Sequence, residues 1–359
     1  MRTGKIKTGI ASFGMSGKVF HAPFINVHPQ FELTAIVERS KDLAKAIYPN
    51  VRIVRSIDEL LAIDELELVI INTPDLTHYE YVKKALEAGK NVVVEKPFVM
   101  TTAEGKELIA LARERGVMLG VYQNRRWDAD YLTVKEILAT NKLGRLVEYE
   151  ATYARYRKQI REGTWKEREG GLVYNLGSHI IDQCVDLFGL PEAVFADVAV
   201  MRDEGVVDDY FLIHPLRCSK APDVRITLKA SYLMREQEPR FVLHGVDGSY
   251  VKYGVDIQEE LLQQGAAPVG DDWGVEEPDK WGVINTEIDG EEVREKYPSQ
   301  RGDYSGFFDS VYQRLRYGVP LPSDAIRVLP VITIIEAAIE SSKTGKVVEL
   351  STLWKNYEF

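Results

Sequence analysis

The segment Gly9-Ile-Ala-Ser12-Phe13-Gly14-Met15-Ser16-Gly17 has the residue types of a strand-to-helix turn that cradles a phosphate. Aligned to the dinucleotide fingerprint, its three glycine positions fall on Ser12, Gly14 and Gly17. Gly14 lets backbone approach a pyrophosphate, and Gly17 lets the helix pack on the strand. Ser12 departs from the pattern. Glu38 follows 21 residues after Gly17, with Arg39 and Ser40 beside it. An acid there accepts hydrogen bonds from the adenosine ribose and selects NAD, whereas an arginine and serine hold a 2′-phosphate and select NADP. Both sets are present, so both cofactors stay open, with Glu38 tilting the reading to NAD. In Glu95-Lys96-Pro97, a lysine ends a strand. Beside a nicotinamide its ammonium would orient a substrate hydroxyl and stabilise the alkoxide formed during hydride transfer.

These residues need a scaffold, and the first 120 residues alternate short β-branched runs with helical patterns. Strands are expected at Ile6–Ala11, Leu33–Val37, Leu68–Asn72, Asn91–Val94 and Val117–Tyr122. Thr101 with Glu104 forms a capping box, and Gly116 closes that helix. Such alternation gives a doubly wound parallel sheet with ligands at the carboxyl ends of its strands. From residue 124 the rhythm changes to a helix (Tyr131–Asn141), a strand (Leu146–Tyr156), a polar loop, a helix (Val173–Phe188) and a series of strands. The expected fold is thus α/β, with a parallel-sheet domain over residues 1–123. Residues 124–359 form an α+β domain whose large, mostly antiparallel sheet is open on one face. Residues 256–300, rich in Gly, Pro and acids, read as irregular.

With 45 Lys+Arg against 55 Asp+Glu, the net charge of −10 argues against a nucleic-acid partner. No apolar run reaches the roughly 18–20 residues of a membrane span, so a cytoplasmic protein is expected. Cys184 and Cys218 read as reduced, small apolar residues. The six histidines lack metal-ligand spacing, and no metal is expected.

Ser12–Gly17, Asn72-Thr73-Pro74 with His78, Glu95-Lys96-Pro97 and Gly170-Gly171 leading to Asn175-Leu-Gly-Ser-His179-Ile-Ile-Asp182 resemble the Gfo/Idh/MocA family of NAD(P)-dependent oxidoreductases. Phe20-His21-Ala22-Pro23 and Asn124-Arg125-Arg126-Trp127-Asp128 are similar to its scyllo-inositol dehydrogenase-like branch. The resemblance implies a Rossmann domain, hydride exchange with a sugar, inositol or related polyol, and a homodimer or homotetramer formed through the open sheet. It further implies that Lys96 polarises the substrate oxygen and that His179 exchanges its proton, as an imidazole with an ordinary pKa of about 6.5 can. Asn175 stands where the family has Asp, and is expected to orient His179. Asp182, on the same helix stripe, is a candidate for the missing negative charge.

Further along the crevice, Thr73, Pro74 and His78 should shape the cofactor site, together with Phe13, Met15, Ser16 and Glu95. Asn124 is placed to meet the nicotinamide carboxamide. Tyr122, Arg125 and Trp127 are expected on the substrate side, with Trp165 covering it from the polar loop. Two other activities within the same resemblance are a redox-neutral NAD-dependent glycosidase and a dinucleotide-binding sensor without turnover.

Overall fold

The computed structural model describes residues 4–160 and 167–355, and its chain divides into two compact units. The first comprises Met1–Asn124 with two later segments, Gln258–Trp273 and Asp303–Leu329. Its opening stretch runs β1 (Ile6–Ile10), α1 (Ala22–Val27), β2 (Phe31–Val37), α2 (Leu43–Ile47), β3 (Arg52–Val54), α3 (Ile57–Leu61) and β4 (Leu68–Ile71). It continues through α4 (His78–Glu87), β5 (Asn91–Val94), α5 (Thr102–Arg115) and β6 (Leu119–Val121). The six strands are parallel, in the order β3-β2-β1-β4-β5-β6.

That order reverses direction between β1 and β4, the switch point at which such sheets bind ligands. β4 is apolar and buried along its whole length, as a strand covered on both faces must be. The capping box on α5 forms as expected: Glu104 N–H donates to Thr101 Oγ1 at 3.2 Å, and Thr101 N–H to Glu104 Oε2 at 3.0 Å. Beyond β6, Val121 N–H donates to the Ser323 carbonyl at 2.9 Å, so one of the returning segments covers that edge of the sheet.

The second unit comprises Arg125–Ile257, Gly274–Gly302 and Pro330–Phe359. α6 (Ala129–Thr140) and β7 (Leu146–Ala154) precede α7 (Ser178–Phe188). β8 (Pro191–Ala199), β9 (Tyr210–Cys218), β10 (Arg225–Ser231), β11 (Phe241–Gly245) and β12 (Gly248–Lys252) follow. The chain then passes through α8 (Gln258–Gln263) in the first unit before β13 (Gly282–Ile288) and β14 (Glu291–Tyr297). α9 (Ser305–Tyr317) and the first turn of α10 (Ala325–Thr344) belong to the first unit, and the rest of α10 leads to β15 (Val348–Glu349) in the second.

Nine strands form one sheet, ordered β14-β13-β12-β11-β7-β10-β9-β8-β15. Only β7 and β10 pair parallel. Residues 256–300 are therefore not irregular: they hold a short helix and a hairpin whose strands register from Gly282↔Tyr297 to Ile288↔Glu291. The hairpin escapes a hydrophobicity reading because β14, Glu-Glu-Val-Arg-Glu-Lys-Tyr, buries only Tyr297. Its turn was nonetheless written in Asp289-Gly290, whose φ angles of 53° and 84° suit a two-residue hairpin.

Candidate active site

In the first unit, a cleft of about 830 Å³ follows the carboxyl ends of β1, β2 and β4. Ser12, Phe13, Gly14 and Met15 line one side, Glu38, Arg39 and Ser40 another, and Thr73 and Pro74 a third. The turn after β1 is locked from β4: Asn72 Nδ2 donates to the Ser12 carbonyl at 2.8 Å and to Ser16 Oγ at 3.2 Å. A helix runs from Met15 to Val27 and opens with a wide π-type turn over Gly17–His21. A Cβ on Gly17 would stand 2.1 Å from the Ser12 carbonyl oxygen, so only glycine lets the helix start here. This close approach, with the cleft in front of the turn, fits a dinucleotide pyrophosphate.

The Glu38 carboxylate is engaged by its own chain. Its Oε1 accepts the Leu43 N–H at 3.1 Å and its Oε2 the Ala44 N–H at 2.9 Å, which caps α2. Sequence spacing placed an acid at the right strand end, but the first turn of a five-residue helix claims its carboxylate. Arg39, Ser40 and Lys41 are exposed along the cleft instead. Arg55, which carried no sequence signal, braces this rim by donating from Nη1 to the carbonyls of Glu38 (2.9 Å) and Lys41 (2.8 Å).

Lys96 is half-buried after β5, and the Lys96–Pro97 peptide bond is cis. The Glu95 carboxylate beneath it is buried, 2.8 Å from His21 Nε2, and accepts the Lys96 N–H at 3.2 Å. Burial opposes the Glu95 charge, but the hydrogen bond and charge of His21 outweigh it and hold the carboxyl below its ordinary range. His78 is fully buried, with Nδ1 2.8 Å from the Pro97 carbonyl and Nε2 3.0 Å from that of Thr73. Tyr122, expected on the substrate side, is packed in the core of the first unit. It is 1% exposed, its hydroxyl donates to the Phe20 carbonyl at 3.0 Å, and its ring lies against His21 and Phe307. Asn124 is buried just beyond β6.

In the second unit, a continuous helix runs from Gly171 to Phe188, with a second π-type turn over Val173–Gly177. Such turns are frequent at functional sites. Here the wide turn ends immediately before Ser178 and His179, and Asn175 lies within it. The Asn175 amide donates to the Tyr232 hydroxyl at 3.4 Å. Asp182 is committed elsewhere than to His179: Arg126 Nε and Nη2 grip its two oxygens at 2.7 and 2.8 Å. Arg125 is buried, with Nη1 3.2 Å from Asp128 Oδ2, an internal ion pair. Trp127 is half-buried in the same turn. Trp165, the expected cover, lies outside the described residues.

Two matches account for both units. Residues 6–123 match the oxidoreductase family's NAD-binding Rossmann fold, and residues 135–350 match its C-terminal alpha/beta domain. The chain belongs to the Gfo/Idh/MocA family of oxidoreductases, and its cofactor is a nicotinamide dinucleotide. It is 38% identical to the scyllo-inositol 2-dehydrogenase (NADP(+)) IolW of Bacillus subtilis, over 96% of each chain. A 1,5-anhydro-D-fructose reductase of Ensifer adhaerens is 28% identical, over 58% of this chain and 63% of its own. Among solved structures, a Bacteroides fragilis protein is 60% identical with a TM-score of 0.91, covering 96% of this chain and all of its own.

Proposed function

We propose that this chain is an NADP-preferring dehydrogenase of the secondary carbinol, or reductase of the corresponding ketone, in an inositol, sugar or related polyol. One observation supports it above the rest: His78 links the cofactor-cleft loop at Thr73 to the loop of Lys96 at Pro97. An ammonium is thereby held in register with the dinucleotide site. Bound there, the dinucleotide supplies or accepts the hydride. Lys96 orients the substrate oxygen and offsets negative charge on it. His179 takes or returns the hydroxyl proton, and Asn175 helps to set its helix. The tilt to NADP comes from Glu38, whose carboxylate caps α2 and leaves Arg39, Ser40 and Lys41 facing a 2′-phosphate. The activities of the scyllo-inositol 2-dehydrogenase and the 1,5-anhydro-D-fructose reductase support the substrate class.

A homodimer or homotetramer through the second unit's sheet is part of the same proposal. Across its open face, Phe195 pairs with His214, while Glu150, Val242, Val251 and Val283 continue in register. Phe195 is 42% exposed, a large apolar side chain at the rim of a mixed polar surface.

The test is a fluorescence titration of the purified chain with NADPH and NADH, followed by turnover on a panel of inositols, sugars and their ketones. Tighter binding of NADPH, with its oxidation by a polyol-derived ketone, is the expected result. Turnover without net change in nicotinamide absorbance points instead to a redox-neutral glycosidase, and binding without turnover to a sensor. Failure to bind either cofactor overturns the reading.

A further inference from the structure

The helix bearing Asn175 and His179 begins on Gly170-Gly171, with φ angles of 81° and 68°, so its own sequence offers no capping side chain. The loop between β8 and β9 supplies one. Asp208 Oδ2 accepts the Val173 N–H at 2.7 Å, and the Asp208 carbonyl accepts the Leu172 N–H at 2.8 Å. A Cβ on Gly171 would stand 2.0 Å from Asp208 Oδ1, so the carboxylate fills the space that glycine leaves.

The loop is itself anchored. Asp209 accepts from Met201 N–H at 2.7 Å, from Arg202 N–H at 3.1 Å and from Arg202 Nε at 2.8 Å. Arg202 Nη2 donates to Glu167 at 2.7 Å. The chain leading into the helix and the loop that caps it are thus fixed to the same guanidinium.

We propose that Asp208 is a positioning residue for the reaction, setting from a neighbouring loop where the helix start, and therefore His179, stands. The inference rests on the reading that His179 exchanges the substrate proton. Burial lifts the Asp208 carboxyl to about 6, against the pull of the Val173 and Leu172 N–H groups. The charged groups around it are Asp209, adjacent in the loop, and beyond it the Arg202–Glu167 pair. From the helix it meets the two N–H groups.

The experiment compares Asp208→Ala, Asp208→Asn and His179→Ala in the full chain, measuring kcat, KM for the polyol, NADPH affinity and the pH profile of kcat. Asp208→Ala should lower kcat by roughly 10- to 100-fold, as a displaced proton donor does, while NADPH affinity stays within about twofold because the dinucleotide turn is intact. Asp208→Asn keeps an oxygen toward Val173 N–H. It should retain kcat within about threefold above neutrality and reduce the acid limb of the profile from a two-proton to a one-proton dependence, the remaining proton being the one His179 exchanges. If Asp208→Ala does not fold, the Asp208→Asn profile decides. Wild-type kcat in Asp208→Ala, or an acid limb of unchanged slope in Asp208→Asn, overturns the inference. Wild-type turnover by His179→Ala overturns the underlying reading instead, whatever Asp208 does.

Discussion

His78 and Pro97 are joined by a 2.8 Å contact between the imidazole Nδ1 and a backbone carbonyl, while the other ring nitrogen meets Thr73. One buried side chain therefore spans the ends of two adjacent parallel strands, β4 and β5, at the point where each leaves the sheet. A helix N-terminal histidine is a plain feature in sequence; its two partners make it a clasp.

Replacing His78 by Ala should strand whichever of the two carbonyls the ring N–H serves, and a buried unpaired acceptor costs about 1–3 kcal/mol. We expect a lower melting temperature together with a kcat loss exceeding the change in NADPH affinity. A variant that melts lower but turns over normally would show that the clasp serves stability alone.

At the mouth of the cleft, Arg39→Ala should weaken NADPH by about 1.5–3 kcal/mol, the worth of a charge-assisted hydrogen bond, and leave NADH almost unchanged. Glu38→Gln should not convert the preference to NADPH any further, since the Glu38 carboxylate is held by Leu43 and Ala44. Paired fluorescence titrations measure both. A large gain in NADPH affinity for Glu38→Gln would contradict the capping role.

Glu95 gives a pH prediction. Its carboxyl is held below the ordinary value, so the unfolded chain binds the proton more readily than the folded one. The stabilisation stands in full above the ordinary glutamate value of about 4.3 and is lost as pH falls through the lower, folded one. Glu95→Gln should therefore melt lower than the wild type near neutrality, with the difference shrinking as the solution is acidified through that range. Thermal denaturation across that range checks it; a constant offset at every pH would count against the His21–Glu95 pair.

Arg126 and Asp182 are both buried, and removing one partner leaves the other charged in a dry site. Arg126→Ala should cost about 3–5 kcal/mol, whereas the double replacement Arg126→Met with Asp182→Leu should recover most of it. Urea denaturation of the three proteins distinguishes a buried ion pair from a surface one, for which every change would fall below about 1 kcal/mol.

What was legible in sequence followed from local rules. Thr101, Glu104 and Gly116 write the start and stop of α5 in residues that touch one another, and the alternation of strands and helices implied the parallel sheet. The turn at Ser12–Gly17 was legible for the same reason. What escaped depends on partners distant in the chain. Nothing near Glu38 marks its carboxylate as a helix cap, nor does the window around Asp182 disclose that Arg126 occupies it. Asp208 lies 35 residues beyond Val173, whose N–H it caps, in a loop with no pattern. The returning segments Gln258–Trp273 and Asp303–Leu329 are likewise assigned to the first unit by packing, not by periodicity.

The charged strand that hid the hairpin has another effect. β14 presents Glu291, Glu292, Arg294, Glu295 and Lys296 at one margin of the nine-stranded sheet, while the opposite margin is the two-residue β15. An incoming strand would meet a row of charges on one side and almost no free backbone on the other. Lateral growth of the sheet stops at nine strands. In the proposed association through the broad face, two copies would consume that face mutually, and assembly would end at a small closed number of subunits instead of running on into a fibre.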